Sequence, residues 1–219
     1  MVKAVIVADG AHAPADRRRL SAADLVIAAD GGANWLATVG VPPHRIVGDL
    51  DSASNDTVRQ LADAGVPVER HPVDKDASDL ELSLASAAAA GADEVVILGA
   101  LGGDLDHLAA NLLLLGSDVA AGRATSLVHD RTTARMLVGS SDLELGAPAG
   151  SRCSLLPVGV PAEGVTTNGL QWPLENARLE PGSSRGLANV VIEVPASVMI
   201  TGGRLLVIEI ASGAEEDGS

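Results

Sequence analysis

The chain has 219 residues and carries 29 acidic side chains against 15 Lys and Arg, a formal charge of −14, which gives no electrostatic footprint for a nucleic-acid backbone. Its hydrophobic fraction is 47%, yet it has no Phe or Tyr and only Trp35 and Trp172, so the expected core is Val, Ile, Leu and Ala in one large or two small compact units, not a disordered chain. Cys153 is the only cysteine; this excludes an internal disulfide and suits a reducing compartment.

The first strand is expected over 2–8, an apolar run too short for a signal peptide or a membrane span, so the reading is a cytoplasmic protein without membrane contact. Further short, β-branched, near-continuously apolar runs at 25–29, 45–47, 94–98 and 125–128 read as strands of a parallel sheet covered on both faces. Between them, helices are expected over 54–64 and 78–90; Ser78 with Glu81 three residues on forms a capping-box pattern at the start of the second. Trp35 and Leu36 fall on another predicted helix, where Trp35 reads as core. Beyond about residue 135 the Ala-rich stretches stop, and strand-like runs at 134–138, 153–157, 164–167, 189–194 and 204–210 alternate with Gly and Pro. These predict a small antiparallel sandwich or barrel in which Cys153 is a buried hydrophobe. The expected organisation is therefore an α/β chain: a Rossmann-like parallel-sheet domain over 1–135, a smaller all-β sandwich over 136–212, and a disordered acidic tail over 213–219.

Ligands of open α/β sheets bind beyond the carboxyl ends of the strands, and here those ends are rich in Asp and Gly. The strand at 25–29 runs into Asp30-Gly31-Gly32-Ala33-Asn34, that at 45–47 into Gly48-Asp49-Leu50-Asp51-Ser52, and that at 94–98 into a segment from Gly99 to His107. Aspartates two apart at a strand end are expected on the same side, where they suit two oxygen ligands of Mg²⁺. Neighbouring glycines let backbone amides approach phosphate. A further acidic stretch, Asp74 to Asp79, lies at the start of the capped helix, where amides and the helix dipole favour anions and Lys75 is a natural phosphate ligand. A structural reading, with Asp76 and Asp79 stabilising the helix start and single Asp-Gly pairs making turns, stands beside this one.

Six segments in order then resemble the thiamine pyrophosphokinase family: Ala29 to Asn34, Gly48 to Ser52, Lys75 to Glu81, Gly99 to His107 with Asn111, Gly169 to Leu174, and Gly182 to Asn189. The resemblance implies an α/β nucleotide domain, a thiamine-binding β-sandwich and a homodimer with its site between subunits. The implied reaction is transfer of pyrophosphate from ATP to the thiamine hydroxyl, with AMP released. It implies Asp49, Asp51 and Asp79 as magnesium and catalytic carboxylates, with Asp106 also catalytic. It further implies contacts to ATP by Asp30, Asn34, Lys75, Ser78, Gly102 and Gly103, and to thiamine by Trp172, Ser183, Ser184 and Asn189. An aromatic face suits the cationic thiazolium; for Trp172 the alternative is simple packing. His107 reads as a residue that positions Asp106 or packs against the helix rather than as a metal ligand.

One position departs from the family pattern. Asp104 stands where Arg is common after the two glycines, replacing a cation that would steady ATP by an anion, and Arg17, Arg18, Arg19 and Arg185 are the candidates to compensate. Two other readings are a phosphatase with Asp49 as nucleophile and a non-catalytic thiamine or nucleotide sensor. A dinucleotide oxidoreductase is disfavoured because no Gly-x-Gly-x-x-Gly follows the first strand.

Overall fold

The computed structural model describes residues 1–213, and the chain divides into two compact units, Met1–Asp130 and the part from Arg131 onward. Apart from Gly213, the acidic tail expected over 213–219 lies outside the described residues. Among the described residues no helix is long and apolar enough to cross a membrane.

The first unit is built on strands β1 (Lys3–Val7), β2 (Leu25–Ala29), β3 (Arg45–Gly48), β4 (Val68–Arg70), β5 (Glu94–Leu98) and β6 (Ala124–His129). They pair in the order β6-β5-β1-β2-β3-β4, all parallel. Burial on both faces explains why β1, β2, β3 and β5 read as near-continuous apolar runs. Val5, Val7, Val26, Ala28, Ile46 and Val96 pack in one cluster with Leu20, Ala33 and Leu36, which come from helices α1 (Asp16–Ser21) and α2 (Gly32–Val39). Val58 and Leu61 of α3 (Asn55–Asp63) flank this cluster. Helix α4 (Asp79–Ala89) instead packs against β1, β2 and β3. Its start follows the expected cap, since Ser78 Oγ accepts the Glu81 amide at 3.2 Å. Helix α5 (Leu105–Leu114) buries none of its residues within this chain. Strand β4 and helix α1 were not expected; each is short, and the first has only one apolar residue, Val68, in its three.

The second unit is all-β and antiparallel. Strands β7 (Thr132–Val138), β9 (Arg152–Pro157), β12 (Asn189–Val190) and β14 (Arg204–Ile210) pair in the order β12-β9-β14-β7, while β8 (Ser141–Leu145), β10 (Ala162–Asn168), β11 (Ala177–Leu179) and β13 (Ala196–Ile200) pair in the order β11-β10-β13-β8. Residues of both sheets, among them Leu137, Leu155, Val165, Val198 and Leu205, share one core. Cys153 lies in that core as a hydrophobe; burial first, and then the charge of Glu209, pushes its thiol up to about 12.

Candidate active site

In the parallel sheet β1 has β5 on one side and β2 on the other, so the strand order reverses there and a crevice opens at the carboxyl ends. The loops after β1 and β5 touch: the Gly10 amide donates to Gly99 O at 2.9 Å. A Cβ on Gly10 would lie 2.2 Å from that oxygen, so the approach requires glycine. Around this crevice lies a cleft of about 610 Å³ lined by Asp30, Asp49, Asp51, Lys75, Ser78, Asp79, Gly102, Gly103, Asp104 and His107, among others.

Asp30 follows β2 with a left-handed backbone, φ 44°, and α2 begins two residues later. The chain turns this tightly because Gly32 presses on β1, where a Cβ would lie 1.9 Å from Val7 O. Asp49 follows β3, and its Oδ1 accepts the Asp51 amide at 3.1 Å. The intervening Leu50 is left-handed at φ 70°. This turn departs from the expected geometry: β3 ends at Gly48, the alternation of a strand no longer applies, and Asp51 swings outward, where its Oδ1 accepts the Ser52 hydroxyl at 3.1 Å. Asp79, the first residue of α4, takes the inner place, its Oδ1 accepting the Asp49 amide at 3.2 Å. Carboxylate oxygens of Asp30, Asp49 and Asp79 thus lie within 4.8 Å of one another.

Lys75 answers part of this charge. Its Nζ lies 2.5 Å from Asp49 Oδ2 and 3.1 Å from Asp79 Oδ1. The hydrogen bond from Lys75 holds the Asp49 carboxyl below its ordinary range. Burial would lower Lys75, but its bonds to Asp49 and Asp79 raise it, so it remains an ammonium. Asp30 is pushed up, first by burial and further by the charges of Asp79 and Asp49. Its Oδ1 is buried without a hydrogen-bond partner. A buried, unpaired carboxylate oxygen beside two more carboxylates is the donor set a hard divalent cation takes, so the residues present fit Mg²⁺.

Other expected residues fall elsewhere. Asn34 braces the loop after β3: its Nδ2 donates to Ser52 O at 3.1 Å and its Oδ1 accepts the Ser54 amide at 2.9 Å. Asp106 is absent from the cleft lining and borders a neighbouring depression with Ser78, Glu81 and His107; its Oδ1 accepts the His107 amide. Among the described residues no arginine lines the cleft. Arg17 donates to Val39 O at the end of α2, and Arg19 pairs with Asp16. Sequence reasoning passed over Asp9 and Gly10, which line the cleft after β1; their Asp-Gly pattern at a strand end repeats that of Asp30-Gly31 and was the available signal. It also missed His12, which stacks on the half-buried Trp35 at 3.9 Å, its Nε2 bonding Ala8 O at 3.0 Å.

In the second unit a separate cavity of about 300 Å³ is lined by Trp172, Pro173, Leu174, Arg185, Gly186, Leu187 and Asn189. Trp172 is 56% exposed, so packing does not account for it, whereas Asn189 is 3% exposed. Asn189 clamps the tryptophan backbone: its Oδ1 accepts the Trp172 amide at 3.1 Å and its Nδ2 donates to Trp172 O at 2.7 Å. Ser183 and Ser184 lie on the turn before this wall, the Ser183 hydroxyl accepting the Arg185 amide.

Comparison with known proteins bears on both units. The family profile "Thiamin pyrophosphokinase, catalytic domain" matches residues 17–123, and "Thiamin pyrophosphokinase, vitamin B1 binding domain" matches 142–205. Thiamine pyrophosphokinase 2 of Oryza sativa subsp. japonica is 30% identical over 195 residues, covering 77% of this chain and 72% of its own. Thiamine pyrophosphokinase of Bacillus subtilis (strain 168) is 27% identical over 185 residues, covering 84% and 86%. The crystal structure of thiamine pyrophosphokinase from Bacillus subtilis superposes with a TM-score of 0.82 at 25% identity, covering 96% of this chain and 100% of that one. Yeast thiamin pyrophosphokinase shares the fold, with a TM-score of 0.79 at 17% identity over 95% and 86% of the two chains. With both profiles matched in chain order, the chain belongs to the thiamin pyrophosphokinase family.

Proposed function

We propose that this family member transfers the pyrophosphoryl group of ATP to the hydroxyl of thiamine, giving thiamine diphosphate and AMP. The observation that carries the reading is the convergence of Asp30, Asp49, Asp79 and Lys75 in the cleft at the strand-order reversal. In this reading the first unit is a Rossmann-like nucleotide-binding and catalytic domain and the second a β-sandwich that binds thiamine.

Asp49 and Asp79 would hold Mg²⁺ together with Asp30, whose oxygen converges with theirs and which we therefore favour over Asp51 as the third ligand. When bound, the ion offsets charge on the transferring phosphates. Lys75 contacts phosphate oxygens, as do Ser78 and the amides of Gly102 and Gly103, while Asn34 keeps the loop carrying Asp49 and Asp51 in place. Asp51 and Asp106 stand at the margin of the cleft as the remaining proposed catalytic carboxylates. The thiamine oxygen attacks the β-phosphorus, the bond from that phosphorus to the α-β bridging oxygen breaks, and AMP leaves with that oxygen; the hydroxyl proton goes to solvent. Positioning and electrostatics supply the catalysis. Trp172 offers its exposed face to the thiazolium cation, Asn189 fixes Trp172, and Ser183 and Ser184 approach from the preceding turn.

The working form we propose is a cytoplasmic homodimer with its active site at the subunit interface. Supporting the dimer, α5 buries none of its residues within this chain and leaves Leu105 79% and Leu113 57% exposed, apolar side chains that a second subunit would cover.

The test is turnover. Protein, ATP, Mg²⁺ and thiamine together should yield thiamine diphosphate and AMP in equal amounts. Phosphate release without thiamine, or thiamine binding without AMP, would overturn the proposal.

A further inference from the structure

Lys75 holds the carboxylates that a divalent ion would use. Its ammonium contacts Asp49 Oδ2 and Asp79 Oδ1, two of the three side chains whose oxygens converge within 4.8 Å. An ammonium is a compact point charge with three donors, and it cannot share those oxygens with an ion without a large repulsion at short range. Ion entry is therefore opposed while Lys75 stays on those oxygens and favoured when it leaves. The geometry of its surroundings supplies a destination. Lys75 lies on the loop between β4 and α4, just before the capped start of that helix, and it lines the same cleft as Ser78, Gly102 and Gly103, where the helix start and the glycine amides favour anions. Its long, flexible stem allows the turn, and the neighbouring Val73 is exposed.

The geometry points to Lys75 as an exchangeable counter-ion: it closes the carboxylate cluster against a lone divalent ion and gives way when the ion arrives with polyphosphate, whose oxygens receive the ammonium. This rests on the assignment of Asp30, Asp49 and Asp79 as metal ligands made above. The consequence is coupling between two ligands at one site: the ion alone binds weakly, and nucleotide raises its affinity by more than direct ion–phosphate contact accounts for.

Binding of Mn²⁺ to the full chain, measured by electron paramagnetic resonance with and without a non-hydrolysable ATP analogue, tests the exchange. Lys75→Met keeps the stem and removes the charge. It should bind Mn²⁺ alone about tenfold more tightly than the unsubstituted chain, given charge-assisted bonds at a partly solvated site. The gain in Mn²⁺ affinity on adding nucleotide should shrink correspondingly. Lys75→Arg, which keeps the charge, should remain close to the unsubstituted chain. Equal or weaker Mn²⁺ binding by Lys75→Met overturns the exchange while leaving the metal assignment standing, provided Asp49→Asn loses Mn²⁺. If Asp49→Asn binds Mn²⁺ undiminished, the ligand assignment falls and the exchange falls with it.

Discussion

Replacing Asp30 by Asn should strengthen the fold while weakening the site. Asp30 is 8% exposed, its Oδ1 has no hydrogen-bond partner, and its Oδ2 accepts the Ser52 amide at a long 3.3 Å. Asp49 and Asp79 each bring a carboxylate oxygen within 4.8 Å. At an effective dielectric of about 20, each such repulsion amounts to at least about 3.5 kcal/mol before solvent screening. Lys75, bound to both neighbours, offsets roughly one of the two, which leaves a net repulsion added to the cost of burying Asp30. Solvent at the mouth of the cleft reduces the net to about 1–2 kcal/mol. The neutral amide removes this term, so in the presence of a chelator the Tm of Asp30→Asn should rise by roughly 2–8 °C. Saturating Mg²⁺ should raise the Tm of the unsubstituted chain by mass action, and that increment should shrink in the variant. Differential scanning calorimetry with and without Mg²⁺ gives both numbers. A fall in Tm in chelator would refute the crowding, because Asp30 would then be held by attraction, and an undiminished Mg²⁺ increment would refute its place among the metal ligands.

His12 should give the fold a measurable pH dependence. Burial, opposed by the Ala8 bond and by Asp16, lowers it below the ordinary value, so its stability contribution is intact above about pH 6.5 and is lost as pH falls through the lowered folded value. Between about pH 7 and pH 5 the Tm should therefore drop more steeply than in His12→Gln; coincident slopes would show that His12 does not titrate there. Asn189→Ala leaves the Trp172 amide and carbonyl without their side-chain partner and should cost about 2–3 kcal/mol in urea unfolding. In a Trp35→Phe background it should also lower the fluorescence anisotropy of Trp172, and unchanged anisotropy would count against the clamp. Gly32→Ala drives a methyl onto Val7 O, which should destabilise by more than about 3 kcal/mol; an unchanged denaturation midpoint would show that the β2–α2 turn can open at little cost.

Apart from β4, the parallel strands were legible as short, largely apolar runs with Asp or Gly just beyond them, as at Leu25–Ala29 and Glu94–Leu98. In the second unit β8, β11 and β13 escaped notice. Ser141–Leu145 alternates Asp142 and Glu144 with apolar residues, and Ala177–Leu179 has only three residues, so neither offers enough contiguous apolarity to stand out from the surrounding loops. Ala196–Ile200 follows a proline that masks its start. At the site, residue types and strand ends were readable, but partner choice among the aspartates was not. Whether Asp30 or Asp51 joins Asp49 and Asp79 depends on the left-handed backbone at Leu50 and on the Asp51 amide folding back onto Asp49. Local sequence does not announce a left-handed Leu, because the conformation is disfavoured for a side chain of that kind and is held here by its surroundings; Leu50 itself is buried. Asn34 and Asn189 illustrate the same limit, since each looks like a ligand-contacting amide in sequence and in the fold satisfies backbone groups of a neighbouring loop.

The overall acidity and a polyphosphate substrate are compatible only if charge is carried into the cleft. Asp9, Asp30, Asp49, Asp51, Asp79 and Asp104 line it against Lys75 alone among lysines and arginines of the described residues. Glycine amides and a helix start supply dipoles, which orient an anion but do not offset six carboxylates. A bare polyphosphate is therefore repelled, whereas one complexed with divalent cations brings the charge that the carboxylates lack. Asp104 steepens this discrimination. Where a cation at that position would favour any phosphate, an anion there opposes a bare polyphosphate more than one whose charge divalent cations have offset.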